Sequence, residues 1–215
     1  MPFEGGEFTT WDLIAEGSLA IGDGYRAKNS ELAKAGIPFA RAGNIDSGFD
    51  FHEADCFPEE NLADVGEKIS RPGDVVFTSK GTVGRIAYVR TETPRFVYSP
   101  QLCYWRSLNA EVIDSRFLYY WMLSRECWEQ MESVKGQTDM ADYVSLNDQR
   151  QMTITLPDIE TQRCIARLLG TFDDKIDANE RLNSLLLTLR DTLLPKLLSG
   201  ELRLKAPEKI METTT

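Results

Sequence analysis

Residues 157–200 read PDIETQRCIARLLGTFDDKIDANERLNSLLLTLRDTLLPKLLSG. Ile165, Leu168, Leu169, Phe172, Ile176, Leu182, Leu186, Leu189 and Leu193 recur at steps of three and four, which is one apolar stripe along a helix. Asp158 is placed to cap its N-terminus, with Glu160 favourable in the first turn. Pro195 is expected to break the ladder, and Gly200 to end the short helix beyond it. From Asp158 to Leu194 the helix would run roughly 55 Å at about 1.5 Å per residue. One small domain cannot cover a stripe of that length, so most of it calls for a neighbouring helix. Asn179 and Asn183 fall on or near the seam, where a polar residue lowers stability but can fix register and partner number.

The whole chain has 215 residues, enough for one globular domain and an appendage. Hydrophobic residues make up 42% and charged residues 27%, ordinary values for a soluble protein with a core. No run of 18 apolar residues exists, so no membrane association is expected. The acidic start MPFEGGEFTTWD does not read as a signal peptide. Cys56, Cys103, Cys127 and Cys164 lack CxxC spacing and read as reduced cytosolic thiols, which points to a cytoplasmic location. His52 is the only histidine, so neither a metal site nor a His-based triad is expected. The net charge is −10, which by itself opposes nucleic-acid binding. Its distribution is uneven: residues 1–70 hold 5 basic and 14 acidic groups, whereas residues 71–110 hold 6 basic and 2 acidic.

That basic window contains the clearest hairpin, RPGDVVFTSKGTVGRIAYVR at 71–90. VVFTS and RIAYVR read as strands joined by SKGTVG, a glycine-bearing loop whose backbone N–H groups can approach a phosphate, with Lys80 and Arg85 adding charge. The order of a P-loop is absent, so nucleotide hydrolysis is not supported. Upstream, Trp11, Leu13, Ile14, Leu19 and Ile21 read as packing residues, and GDGYRAKNSELAKAG at 22–36 as a tight loop followed by a short helix capped by Ser30. IPFARAGNI at 37–45 reads as a strand with Phe39 and Ile45 in the core. The acidic stretch 46–68, anchored by Phe49, Phe51 and Phe57, reads as a solvated connection turned away from any polyanion. PRFVYSPQLCYWRSL at 94–108 gives two short strands around Ser99-Pro100-Gln101, and 113–133 one helix with Ser115 as cap and Phe117, Leu118, Trp121, Met122 and Trp128 in the core. Residues 134–157 begin with a glycine loop and end in the strand MTITL.

Three of these segments resemble a known family. Pro157, Ile159, Gln162, Ile165, Ala166, Phe172, Asp173, Lys175, Ile176 and Asn179 fill a pattern similar to the conserved helical region of the specificity (S) subunits of type I restriction-modification systems, and LLPKLLSGEL at 193–202 resembles its end. Gly73, Asp74, Ser79, Gly81, Thr82 and Gly84 resemble the central segment of their target recognition domains. Gly136, Gln137 and Thr138 resemble the loop that precedes the conserved helix. The usual members carry two recognition domains and two helical regions, whereas one of each is visible here.

The resemblance implies an α+β fold: one mixed α/β target recognition domain over 1–156, a long helix and short terminal helix over 157–200 for antiparallel coiled-coil pairing, and a polar tail over 201–215. It implies a non-catalytic subunit without a cofactor that binds double-stranded DNA and docks modification (M) subunits and, through them, restriction (R) subunits. A homodimer through the apolar stripe would restore two recognition domains, each reading one half-site. The side chains expected at DNA are Tyr25, Arg26, Lys28, Asn29, Arg41, Asn44, Ser79, Lys80, Gly81, Thr82, Arg85, Gln101, Gln137 and Thr138. Lys and Arg suit phosphates or guanine, and the Asn and Gln amides suit adenine edges. For Tyr25–Asn29 a solvated turn and for Gln101 an exposed strand start are equally open, while a strand-end residue such as Asn44 is more often simply a turn residue. A nuclease or methyltransferase is disfavoured: no glycine-rich cofactor loop opens a helix, and no carboxylate cluster stands beside a lysine. The alternative is a helical interaction or decoy module that binds M subunits without reading DNA.

Overall fold

A computed structural model describes residues 4–46, 48–134 and 143–202. Chain order runs β1 (Gly6–Thr9), α1 (Thr10–Ala15), β2 (Leu19–Asp23), β3 (Ile37–Ala40), β4 (Cys56–Phe57), β5 (Val75–Thr78), β6 (Ile86–Tyr88), β7 (Val97–Tyr98), β8 (Leu102–Ser107), α2 (Ser115–Met122), α3 (Arg125–Val134), α4 (Leu146–Arg150), β9 (Thr153–Leu156) and α5 (Ile159–Leu198). This mixture of sheets and helices, closed by one long helix, is α+β. The chain divides into two compact units, Met1–Leu168 and Leu169–Thr215, so the boundary falls inside α5.

The centre of the first unit is the antiparallel sheet β2-β8-β5-β6. The expected β5–β6 hairpin is present, with Val75 opposite Tyr88 and Phe77 opposite Ile86. All four β5 residues are buried because both faces of the sheet are covered. Val75, Phe77, Cys103 and Trp105 face one core with Leu13, Leu118, Trp121 and Ile154. Val76, Leu102 and Tyr104 alternate to the other face and meet Ala40, Ile45, Phe96 and Tyr98. β3 pairs antiparallel with β4 and parallel with β7, and β1 pairs antiparallel with β9.

A buried ion pair braces this sheet. Arg106 donates to both carboxylate oxygens of Asp74 at 2.6 and 2.8 Å, and the Tyr98 hydroxyl donates to the same carboxylate at 2.6 Å. Burial opposes the Arg106 charge, but the Asp74 bonds outweigh it and hold the guanidinium above the ordinary arginine value. Burial, reinforced by Asp74, holds the Tyr98 phenol well above its usual value.

Several local expectations are corrected. Residues 113–133 form two helices. Asp114, not Ser115, caps α2, accepting from the N–H groups of Arg116 and Phe117 at 3.0 and 2.9 Å. Ser124 then accepts from the Cys127 N–H at 3.3 Å and starts a new helix. Trp11 and Trp128 are 59% and 46% exposed rather than core residues. The ELAKA helix shrinks to a 3-10 turn at Asn29–Glu31, because Ala33 pairs in extended form with Cys56. The strand at 37–45 stops at Ala40, and a 3-10 turn follows at Ala42–Asn44. The polar tail lies outside the described residues after Leu202.

α5 begins as expected: Asp158 accepts from the Thr161 N–H at 3.0 Å and from its hydroxyl at 2.6 Å. Gln162 is fully buried, and its amide accepts from the Asp114 N–H at 3.0 Å while donating to the Val112 and Pro157 carbonyls at 3.0 and 2.8 Å. The expected separate terminal helix is absent. α5 passes through Pro195 and ends before Gly200, whose φ is +72°. Proline removes one N–H, but the next turn stays bonded, with the Ser199 N–H on the Pro195 carbonyl at 2.9 Å. At 40 residues the helix is about 60 Å long. Leu168, Leu169, Phe172, Ile176, Leu182, Leu186 and Leu189 are all exposed along it.

Candidate nucleic-acid interface

Strand register brings four segments that carry expected residues to one end of the central sheet. β2 ends where Asp23 faces Cys103, and β5 ends where Thr78 faces Leu102. β3 ends where Ala40 pairs with Tyr98. Gly24–Asn29, Arg41–Asn44, Ser79–Arg85 and Ser99–Gln101 therefore leave the same edge. Their backbones interlock: Tyr25 N–H donates to the Tyr98 carbonyl at 2.6 Å, Ser99 N–H to Ala40 at 2.9 Å, and Ser79 N–H to Gln101 at 2.9 Å. Gly24 is required here, since a Cβ would overlap the Ser99 carbonyl.

The Ala42 peptide is gripped from two sides. Its N–H donates to Gln101 Oε1 at 3.3 Å, and its carbonyl accepts from Arg85 Nη1 at 3.1 Å. Arg85 Nε also lies 3.3 Å from Asp46 Oδ1. Arg41 Nη1 bonds Asp55 at 2.7 Å, which pulls the Asp55 carboxyl below its usual range, and the guanidinium lies over the Phe39 ring. The acidic stretch 46–68 thus supplies carboxylates to this end of the sheet instead of standing apart from it.

Other expected residues have local duties. Asn44 accepts from the Arg41 N–H at 2.8 Å and donates to the Asp50 carbonyl at 2.8 Å, as a turn residue does. Tyr25 packs edge-on against Phe57, with ring centroids 5.3 Å apart. Ser79 is buried, and its hydroxyl lies 3.4 Å from the Gln101 carbonyl. The Thr82 carbonyl accepts from the Thr78 hydroxyl at 2.5 Å, closing a loop in which Gly81 and Gly84 have φ of +85° and +99°. Arg26, Lys28, Asn29, Lys80, Gly81 and Thr82 are exposed, and Arg26, Lys28 and Lys80 make no ion pair among the described residues. Gln137 and Thr138 lie outside the described residues.

Sequence reasoning missed the segment that closes this end. Tyr143 bridges Lys80 in antiparallel pairing, and the Val144 N–H donates to the Ser79 carbonyl at 3.0 Å. Behind it, α4 is capped by Ser145, which exchanges bonds with Asp148 at 3.1 and 2.8 Å. The Ser145-x-x-Asp148 spacing is a legible capping signal. Buried Gln149 ties this helix to the sheet, accepting from Trp105 Nε1 at 2.9 Å and donating to the Val144 carbonyl at 3.3 Å.

Among the described residues the arrangement offers donors, acceptors and cations. Burial raises the Cys103 thiol and pushes Cys127 up to about 12, so both are protonated at neutral pH. Among the described residues no three His, Cys, Asp or Glu side chains are grouped to hold a metal ion, and no helix is long and apolar enough to cross a membrane.

The fold is a mixed α/β unit with polar loops gathered at one end of the central sheet, followed in the chain by a long helix. Residues 16–188 match the type I restriction modification DNA specificity domain, and the chain belongs to that family. It is 24% identical over 202 residues to the type I restriction enzyme MjaVIII specificity subunit of Methanocaldococcus jannaschii, covering 91% of this chain and 47% of that protein. The MjaIX specificity subunit of the same organism is 25% identical over 199 residues, covering 91% and 45%. Among solved structures, the S subunit from M. genitalium superposes with a TM-score of 0.65 at 16% identity, and the HsdS subunit from Thermoanaerobacter tengcongensis with 0.57 at 18%. These cover 91% and 94% of this chain but 46% of each of those chains. The chain spans about half the length of the curated relatives it matches.

Proposed function

We propose that this chain is a non-catalytic, cytoplasmic specificity module of a type I restriction-modification complex that reads one half-site of double-stranded DNA. The observation that carries this reading is the gathering of the 24–29, 41–44, 79–85 and 99–101 loops on one sheet edge, with exposed Arg26, Lys28 and Lys80 and with Gln101 at its centre. Backbone-directed cations fix orientation on a duplex, and amide side chains read base edges. The second unit presents the exposed stripe from Phe172 to Leu189. Paired antiparallel with a second copy, from Ile165 to Leu193, that stripe would be buried and the two reading faces related by a two-fold axis. M subunits dock on the paired helices, and R subunits join through them. The test is selection from random duplexes by a complex reconstituted with an M subunit. An inverted repeat interrupted by a nonspecific spacer is expected. The free chain, at net −10, should bind far more weakly, and binding by the complex should be salt-sensitive. A reconstituted complex that enriches no sequence would overturn DNA reading and favour the decoy alternative, in which the chain only binds M subunits.

A further inference from the structure

The antiparallel bridge between Lys80 and Tyr143 sets two side chains side by side on the outer surface of the loop edge. Their neighbours alternate inward: Ser79 and Val144 are 2% and 0% exposed, whereas Lys80 is exposed and Tyr143 is 39% exposed. This position is rigidly held. Val144 is bonded to Ser79 on one side and to buried Gln149 on the other. Arg26 lies within electrostatic reach of the Tyr143 hydroxyl from the neighbouring loop. Of the acids near that hydroxyl, Asp23 is already paired with Lys68 at 2.7 Å, and Asp148 accepts from the Ser145 N–H. Burial first, and then the Asp23 and Asp148 carboxylates, raise the phenol above its ordinary value, so it remains a hydrogen-bond donor at neutral pH.

We propose that Tyr143, Lys80 and Arg26 form a clamp for a DNA backbone phosphate, with the Tyr143 hydroxyl donating to a phosphate oxygen between the two cations. The clamp positions the duplex and reads no base. It rests on the DNA-reading role proposed above and adds Tyr143 to it. Two cations and a neutral donor match a phosphate, whose oxygens accept several bonds at once. A bare lysine pair would attract the same charge without fixing its position.

The test uses the reconstituted complex with its selected duplex and a scrambled duplex, across a salt series. Tyr143→Phe should weaken both by about ten-fold or more, because a hydrogen bond to a charged group is lost. The preference between the duplexes and the salt slope should stay as in the wild type. Lys80→Ala and Arg26→Ala should also weaken both, each lowering the slope by about one unit per half-site, or about two for a two-fold dimer. Unchanged binding by Tyr143→Phe overturns the clamp while leaving DNA reading intact. A loss confined to the selected duplex also overturns it, since Tyr143 would then be a base reader. If the wild-type complex binds neither duplex, DNA reading itself fails and the clamp fails with it.

Discussion

Replacing Asp74 with alanine should be among the most damaging single changes to the first compact unit. The carboxylate is fully buried and accepts from Arg106 twice, from the Tyr98 hydroxyl, and from the Arg71 N–H at 2.8 Å. Its removal leaves the Arg106 guanidinium, 6% exposed, with Glu67 at 3.0 Å and the Ile69 carbonyl at 3.0 Å as its remaining polar contacts. Breaking a buried pair by deleting one partner costs about 3–5 kcal/mol. For a chain of this size that is a fall in Tm of roughly 6–20 °C, at about 2–4 °C per kcal/mol. Calorimetry and urea melts measure it. Replacing both partners, as Asp74→Leu with Arg106→Met, should recover much of the loss because no charge is stranded. The same network sets a pH sign. Tyr98 binds its proton more tightly folded than unfolded, so its contribution is complete below the ordinary phenol value of 10.0 and declines as pH rises above it. Asp74→Ala should reduce that alkaline decline. β5 separates Asp74 from Ser79 by about 17 Å at roughly 3.3 Å per residue, so base preference measured below the melt should be unchanged. A cost under about 1 kcal/mol would show that the pair is solvated and that this account of the core is wrong.

Leu186→Asp or Leu189→Asp should dissociate the proposed dimer by placing an unpaired charge in its seam, read by sedimentation at micromolar concentration; a wild-type chain that sediments as a monomer would remove the premise. Gln101→Ala should relax preference at a single base-pair position by about 1–3 kcal/mol, and a two-fold dimer requires the relaxation in both half-sites. Relaxation at one end alone would contradict the symmetry even if Gln101 touches DNA.

What was legible in the sequence depended on distance along the chain. The β5–β6 hairpin announced itself, because its strands, its turn glycines and its basic loop lie within twenty residues of one another. The length of α5 was legible because its apolar residues recur at helical spacing from Ile165 to Leu193. The order β2-β8-β5-β6 was not, because Leu19 meets Ser107 and Val75 meets Trp105 only after folding. Trp11 and Trp128 misled for a related reason: a bulky apolar side chain on a helix reads as core until its neighbours are known. Trp128 lies over the SKGTVG loop, where a Cβ at Gly84 would stand 2.9 Å from its ring. The Gln149 tie and the Lys80–Tyr143 bridge join segments more than forty residues apart, and no local pattern marks either.

The carboxylates beside Arg41 and Arg85 change how the proposed reading would achieve selectivity. A face of bare arginines gains affinity from any phosphate, so it holds every duplex nearly alike. Here Asp55 and Asp46 already satisfy those guanidinium groups in part, and both carboxylates are solvent-accessible. Exposed pairs of this kind are worth about 0–1 kcal/mol, so they are weak enough to exchange. A guanine edge offering two aligned acceptors returns about 1–3 kcal/mol over a wrong base and can displace the carboxylate. A wrong base at that position leaves the guanidinium with its aspartate, and the acid then repels the nearby phosphates. Gln101 faces a similar choice, since its Oε1 already accepts from Ala42 and must share a lone pair to meet an adenine. On the proposed reading, native partners on these residues would therefore lower affinity for all DNA and leave a larger fraction of the remainder dependent on sequence.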